Sequence, residues 1–256
     1  MAGNATTRKA TPVRVTLISL DSHLSNAVDR ARALLRKSLP GLELTFHAAS
    51  DWDRDPAALE ACKANIEKAD FVVASMLFME NHIEAILPAL QARRDQCDAM
   101  IGCLSASEVV KMTSIGRFQM DKPETGPLAL LKRLRGSKEK AKAGAHQMKM
   151  LRRLPKLLKF IPGTAQDVRA YFLTLQYWLA GSEDNIANLV KYLVDRYAAG
   201  PREGLRGTLS PAPPQQYPDV GVYHPRLKAK IATATSKLPL AKSKKPAVGL
   251  LIMRSY

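Results

Sequence analysis

VRVTLISL, residues 13–20, is an apolar run rich in β-branched side chains. Such a run, without polar alternation, is the mark of a strand buried on both faces, as in parallel sheets. Leu24, Val28, Ala31 and Leu35 follow at helical spacing within 24–37, and LELTFHAA (42–49) is a second strand after the Pro40-Gly41 turn. A helix over 56–68 opens on Pro56, whose fixed φ suits a first turn. FVVASMLF (71–78) reads as a third strand, Ile83, Ile86, Leu87 and Leu90 as its helix, and Asp98–Leu104 as a fourth strand. Ser105-Ala-Ser-Glu108 then has the capping-box pattern of a helix start. The alternation predicts an α/β fold over 13–125: a doubly wound, flavodoxin-like or Rossmann-like parallel sheet of about four strands.

From 126 to 200 the periodicity is only helical, with helices expected over 127–134, 147–159, 165–180 and 183–198. GSKEKAKAG (136–144) interrupts them as a charged loop. Thr164 and Ser182 stand at helix starts, and Gly181 and Gly200 where helices end. Val168, Tyr171, Phe172, Leu175, Trp178 and Leu179 form one stripe; Ile186, Leu189, Val190, Leu193, Val194 and Tyr197 form another. The stripes predict a helical hairpin that buries these faces. Tyr177 lies beside the first stripe and is the candidate exposed aromatic for a flat ligand. Residues 1–12 read as a disordered N-terminus and 201–246 as a proline-rich, then basic, linker. AVGLLIMRSY (247–256) repeats the buried-strand pattern and reads as the opening of a truncated next domain.

The net charge of +16 is concentrated. Between Lys132 and Lys159 eleven Lys or Arg face one acid, Glu139. Lys132, Arg133, Arg135, Lys149, Arg152 and Arg153 are the docking candidates there. Met148, Leu151, Leu154, Leu157 and Leu158 are expected to point inward with the cations outward. Three readings stay open for this band: a membrane surface, an acidic protein face, and a solvated helix face. Nucleic acid is disfavoured, because no recognised module is present and the aromatics do not alternate with the basic residues.

The carboxyl ends of parallel strands are where ligands bind. Here they offer Asp21-Ser22-His23, Ser50-Asp51-Trp52, Ser75-Met76 and Ser105–Glu108, with no glycine-rich phosphate loop. Ser22, Ser25 and Ser105 suit helix caps, while Ser22 and His23 are also ligand-binding candidates. His82 reads as a surface ion-pair partner of nearby acids. No His, Cys or carboxylate spacing predicts a metal site, and no Ser-His-Asp or Cys-His order a catalytic one. Cys62, Cys97 and Cys103 read as reduced, buried thiols of a cytoplasmic protein. No apolar run reaches the length of a membrane span, and the N-terminus lacks the apolar core of a secretory signal.

DSHLSNAVDRA, MLFMENHIEAILPAL, GPLALLKRLRGSKEK, QMKMLRRLPKLLKFIPGTAQDVRAYFLTLQYWLAGSEDNI and GVYHPRL, in this order, closely resemble the N-terminal region of the large, porphyrin-binding subunit of magnesium chelatase. The resemblance runs from about Val13 to Tyr256, and VGLLIMRSY looks like the start of the main domain shared with the cobalt chelatase large subunit. It implies a subunit that binds protoporphyrin IX while Mg²⁺ enters the ring, with ATP hydrolysed by AAA+ partner subunits, in chlorophyll or bacteriochlorophyll synthesis. The family's porphyrin and metal residues fall beyond Tyr256, so the resemblance assigns no catalytic residue and no bound cofactor here. It implies that this piece alone is inactive. The alternative is a non-catalytic interaction module that docks an acidic partner or a membrane surface.

Overall fold

The computed structural model describes residues 10–122, 153–217, 220–227 and 230–238. Strand β1 (Val13–Ser19) is flanked by β2 (Leu42–Ala48) and β3 (Phe71–Ser75), both parallel to it, and β4 (Ala99–Cys103) runs parallel beyond β3. Helices α1 (Ser25–Leu35), α2 (Pro56–Lys68) and α3 (Glu80–Arg93) make the crossovers. The order β2-β1-β3-β4 reverses direction at β1. Right-handed crossovers then place α1 on one face and α2 and α3 on the other.

That topology divides the side chains of β1, β3 and β4 between two cores. Val15, Leu17, Phe71, Val73, Ile101 and Cys103 pack with Val28 and Leu35 of α1. Ile18, Val72, Ala74 and Met100 pack with Cys62 and Ile66 of α2 and with Ile86 and Leu90 of α3. Both faces are dry along β1, β3 and β4, which accounts for those strands being written as continuous apolar runs, while edge strand β2 keeps Glu43 exposed.

The sheet has two more strands than expected. After α4 (Ser107–Lys111), β5 (Ser114–Ile115) and β6 (Phe118–Gln119) form an antiparallel hairpin on the outer edge of β4. Each is two residues long, too short to leave a period in the sequence. The chain comes close to β4 at α4: a Cβ added to Gly102 would sit 1.9 Å from the Val109 carbonyl oxygen. Thr113 Oγ1 also accepts from Gly102 N–H and donates to its carbonyl, each at 3.0 Å. Gly102→Ala is expected to cost about 3 kcal/mol, the upper end of overpacking penalties, because backbone and not a flexible side chain must yield. Urea unfolding monitored by circular dichroism checks this.

One helix cannot cover the α1 face. Helices α5 (Thr164–Ala180) and α6 (Glu183–Tyr197) complete it, α6 along α1 and α5 against β5 and β6. The expected stripe residues Val168, Tyr171, Leu175 and Trp178 of α5 are buried, as are Ile186, Leu189, Val190, Leu193, Val194 and Tyr197 of α6. The Tyr171 ring meets Phe118 edge-on at 6.0 Å. Ser182 caps α6 by accepting from Asn185 N–H (3.3 Å), and Gly181 closes α5 in the left-handed conformation. Thr164 supplies no cap, because that position falls to Gly163. Asp167 accepts instead from Arg117 N–H and from the Tyr197 hydroxyl, both at 2.9 Å, and so ties the β5–β6 turn and both helices together. The compact unit extends to Pro214.

The amino edge of the sheet is held by ions. Arg202, in the 3₁₀ turn Gly200–Leu205, reaches both oxygens of Asp98 at 3.0 Å and Asp70 at 3.1 Å. Asp98 also accepts from Ala199 N–H, and Asp70 from Arg14 N–H.

In the second unit, Gln215–Tyr256, β7 (Val222–Tyr223) pairs antiparallel with β8 (Ile231–Ala232). The basic stretch expected to be linker therefore contains a hairpin, closed by His224 N–H to Lys230 O at 2.8 Å. Backbone turn bonds make it, with no apolar period to announce it. The helix expected over 127–134, most of the one over 147–159, the 136–144 loop, the 247–256 strand and residues 1–9 lie outside the described residues.

Candidate functional site at the carboxyl edge of the sheet

The reversal at β1 makes the carboxyl ends of β1 and β3 the topological switch point, the crevice where doubly wound sheets hold ligands. Ser19 and Ser75 end these two strands and both are fully buried; the Ser19 hydroxyl has no hydrogen-bond partner, and the Ser75 hydroxyl faces the Cys103 thiol. Ser75 is in register with Cys103, whose thiol burial pushes up to about 12. Beyond them the chain turns through left-handed residues that are not glycine, Met76 (φ 62°) and Leu104 (φ 48°). Their strain is held by a continuation of the ladder past the sheet: Met76 N–H to Leu104 O at 3.1 Å and Ala106 N–H to Leu77 O at 2.8 Å. Ser105 belongs to the same lock, with its hydroxyl accepting from Leu77 N–H (3.1 Å) and donating to Cys103 O (2.9 Å). The capping box expected there is thus not formed; Ser105 is spent on joining two strand ends, and Ala106 stands at the helix start without a side-chain cap.

Ser22 and His23 sit on the β1–α1 loop at this edge, both exposed. Ser22 caps nothing with its side chain: its carbonyl accepts from Ser25 N–H at 3.0 Å, and Leu24 takes the cap position. His23 closes back on Asp21 through its Nδ1 and its backbone N–H. Burial raises the Asp21 pKa, but the hydrogen bonds and charge of His23 outweigh it and hold the carboxyl below its ordinary value.

Tyr177 is not the exposed aromatic that its place beside the stripe predicts. It is 2% exposed and donates its hydroxyl to Ala212 O at 2.6 Å. The segment after α6 returns over the hairpin and covers it, a tertiary contact that helical spacing cannot reveal. The described contacts do not connect Tyr177 with Ser22 or His23. Of the basic candidates, Arg153 is exposed; Lys132, Arg133, Arg135, Lys149 and Arg152 lie outside the described residues.

Another cluster at this edge is not legible in the sequence. His82 is 4% exposed instead of at the surface. Its ring meets Trp52 edge-on at 5.6 Å, its Nε2 lies 3.7 Å from Asp53, and Asp53 accepts from Asn81 at 3.2 Å. The packing of α3 against α2 draws His82 inward, and Trp52 follows β2 so closely that it roofs the same core. Phe78 and Met79, just after the lock, remain exposed. Asp21, Asp51, Asp53, Glu80 and Glu108 line these loops, so the edge is acidic on a basic protein. That field disfavours phosphate and suits a neutral or cationic group. Among the described residues no three His, Cys, Asp or Glu side chains converge as a metal site, and no helix is long and apolar enough to cross a membrane.

Two family models meet on this chain. The family described as Domain of unknown function (DUF3479) matches residues 14–172, and CobN/Magnesium Chelatase matches 175–256. Their junction falls inside α5, so the boundary between the matches is not a boundary of the fold. The chain is similar to the magnesium-chelatase large (H-type) subunit of Cereibacter sphaeroides, 47% identical over 243 residues, and to that of Rhodobacter capsulatus, 46% identical over the same length. These alignments cover 94% of this chain and 20% of each relative. The corresponding chloroplastic magnesium-chelatase protein of Oryza sativa subsp. japonica, ChlH, is 27% identical over 228 residues, covering 87% of this chain and 16% of that protein. The chain thus spans about a fifth of the length of its bacterial relatives. With more than half its length inside the first match, the chain belongs to the DUF3479 family, in the form that continues directly into CobN/Magnesium Chelatase sequence.

Proposed function

We propose that this chain is part of the porphyrin-binding subunit of a magnesium chelatase, the assembly that inserts Mg²⁺ into protoporphyrin IX in chlorophyll or bacteriochlorophyll synthesis. Partner AAA+ proteins hydrolyse the ATP, and this part of the large subunit is a non-catalytic module that works at a membrane surface. The observation that carries the reading is the 47% identity to a magnesium-chelatase large subunit across 94% of the chain. No catalytic residue is assigned within it. Ser22 and His23 are the ligand-facing candidates at the carboxyl edge, and the Lys132–Arg153 band is the candidate docking face for anions.

A chimera tests this. When this chain replaces the matching region of the Cereibacter sphaeroides protein, the assembly with its ATPase partners, ATP, Mg²⁺ and porphyrin is expected to retain chelatase turnover. Deleting that region should abolish or sharply reduce turnover. The chain alone, in the same mixture, is expected to insert no Mg²⁺. An inactive but folded chimera, or turnover by the isolated chain, would overturn the corresponding part of the proposal.

A further inference from the structure

The approach to α5 carries a second surface, at the opposite chemical pole from the acidic edge. Residues 153–157 are helical and pass into a 3₁₀ turn, Leu158–Phe160, before Gly163 turns the chain into α5. Leu154 and Leu158 are buried beneath this tip. Leu157, expected to point inward with them, does not: it is 65% exposed, with Phe160 83% and Ile161 39% exposed beside it. The i, i+3, i+4 spacing of these three makes one outward face. Leu154 and Leu158 take the buried side of this segment, with Leu158 in the core shared with α5.

The rim of that face is cationic. Arg153, Lys156 and Lys159 are all exposed, and Lys159 Nζ stands 5.7 Å from the Phe160 ring centroid. Between Glu139 and Asp167 the sequence contains no acid. Lys and Arg around protruding Leu, Ile and Phe are the composition of an interfacial anchor: apolar side chains enter the acyl boundary while cations meet anionic headgroups.

The backbone of the tip fits the same environment. A segment that leaves water must satisfy its carbonyls internally. Gln166 Nε2 lies 2.7 Å from Leu158 O and 3.2 Å from Lys159 O, and also donates to Ile161 O. Arg169 Nε donates to Pro155 O at 3.0 Å, and Leu158 O accepts from Ile161 N–H at 3.2 Å. Pro155 and Pro162 have no N–H to satisfy. Side chains from the first turns of α5 therefore hold the carbonyls of a segment that leaves Leu157, Phe160 and Ile161 exposed.

We propose that Leu157, Phe160 and Ile161 insert into an anionic lipid surface, with Arg153, Lys156 and Lys159 on its headgroups. This deepens the membrane-surface part of the reading above and is independent of porphyrin. The test uses the full chain with vesicles of phosphatidylcholine mixed with phosphatidylglycerol, and with phosphatidylcholine alone. Co-sedimentation is expected with the anionic vesicles only, weakening as salt screens the cations. The double variant Leu157→Ser/Phe160→Ser should lose about tenfold or more in partitioning, since two large apolar side chains no longer leave water. Both positions are exposed, so its melting temperature should be unchanged. A Phe160→Trp variant should blue-shift its emission on meeting anionic vesicles.

Equal binding by the double variant, or no binding of the unmodified chain to anionic vesicles, would overturn the insertion. So would a Phe160→Trp emission that shifts with the ATPase partner proteins but not with lipid, which would make the tip a protein-docking face. The chimera's chelatase turnover in detergent-free solution reports separately on the chelatase reading.

Discussion

Arg202→Ala is expected to destabilise the first unit by about 3–5 kcal/mol, the range seen when one partner of a buried ion pair is removed. The effect is large because the arginine leaves behind two carboxylates. Asp98, bound by two guanidinium nitrogens and by Ala199 N–H, loses its principal partner. Asp70 is almost wholly buried, and burial already raises its pKa even with the Arg14 N–H and the Arg202 charge opposing. A carboxyl raised in the folded state favours protonation on folding. Its contribution is therefore complete below the unfolded value and is lost as pH rises through the folded one. Without Arg202 that liability grows, so the deficit should be greatest near neutral pH and shrink as the pH is lowered into the carboxylate range. Denaturant melts of the variant and the unmodified chain across this window check both size and sign. Adding Asp70→Asn and Asp98→Asn should restore part of the loss; a deficit independent of pH would show that packing, not charge, is what Arg202 supplies.

Trp178→Ala should cost about 3–5 kcal/mol through the lost transfer energy and the cavity left behind. Trp178 is 4% exposed, within the core shared by the sheet face, α1, α5 and α6. In a protein of this size the melting temperature should fall by roughly 6–20 °C. Any porphyrin affinity should change only through unfolding. Should the alanine variant fail to fold, Trp178→Phe gives a smaller, measurable loss in the same direction. Unchanged stability with altered porphyrin affinity would instead make Trp178 part of a binding platform.

Both effects arise where distant parts of the chain meet, and this marks what could be read in advance. Strands β1, β3 and β4 were legible because both their faces are dry, so burial alone wrote the pattern. The run 71–78 extends past β3, which ends at Ser75 where Met76 turns left-handed, and β2 keeps Glu43 exposed at the sheet edge. The hairpin α5–α6 was legible because an amphipathic helix records which of its faces is buried. It does not record against what. That α6 lies along α1 follows only from the half-covered sheet face that the β1 reversal leaves open. The β5–β6 pair left no trace, since two residues a strand carry no period.

At the candidate site the same division holds. The positional rule brought Ser22 and His23 to the carboxyl edge, and there they are. It could not show that the neighbouring Ser105 locks two strand ends, or that His82 is drawn under Trp52. Tyr177 is hidden by Ala212, far along the chain, and Leu157 is left in water while its neighbours Leu154 and Leu158 are buried. The sequence alone determined the strand–helix alternation, the two buried helical stripes and the charge carried by each segment, because these are properties of neighbouring residues. Only the tertiary structure decided which aromatic is hidden, which leucine protrudes and which acids Arg202 must neutralise, because burial and electrostatic cost depend on what the rest of the chain brings to the same place.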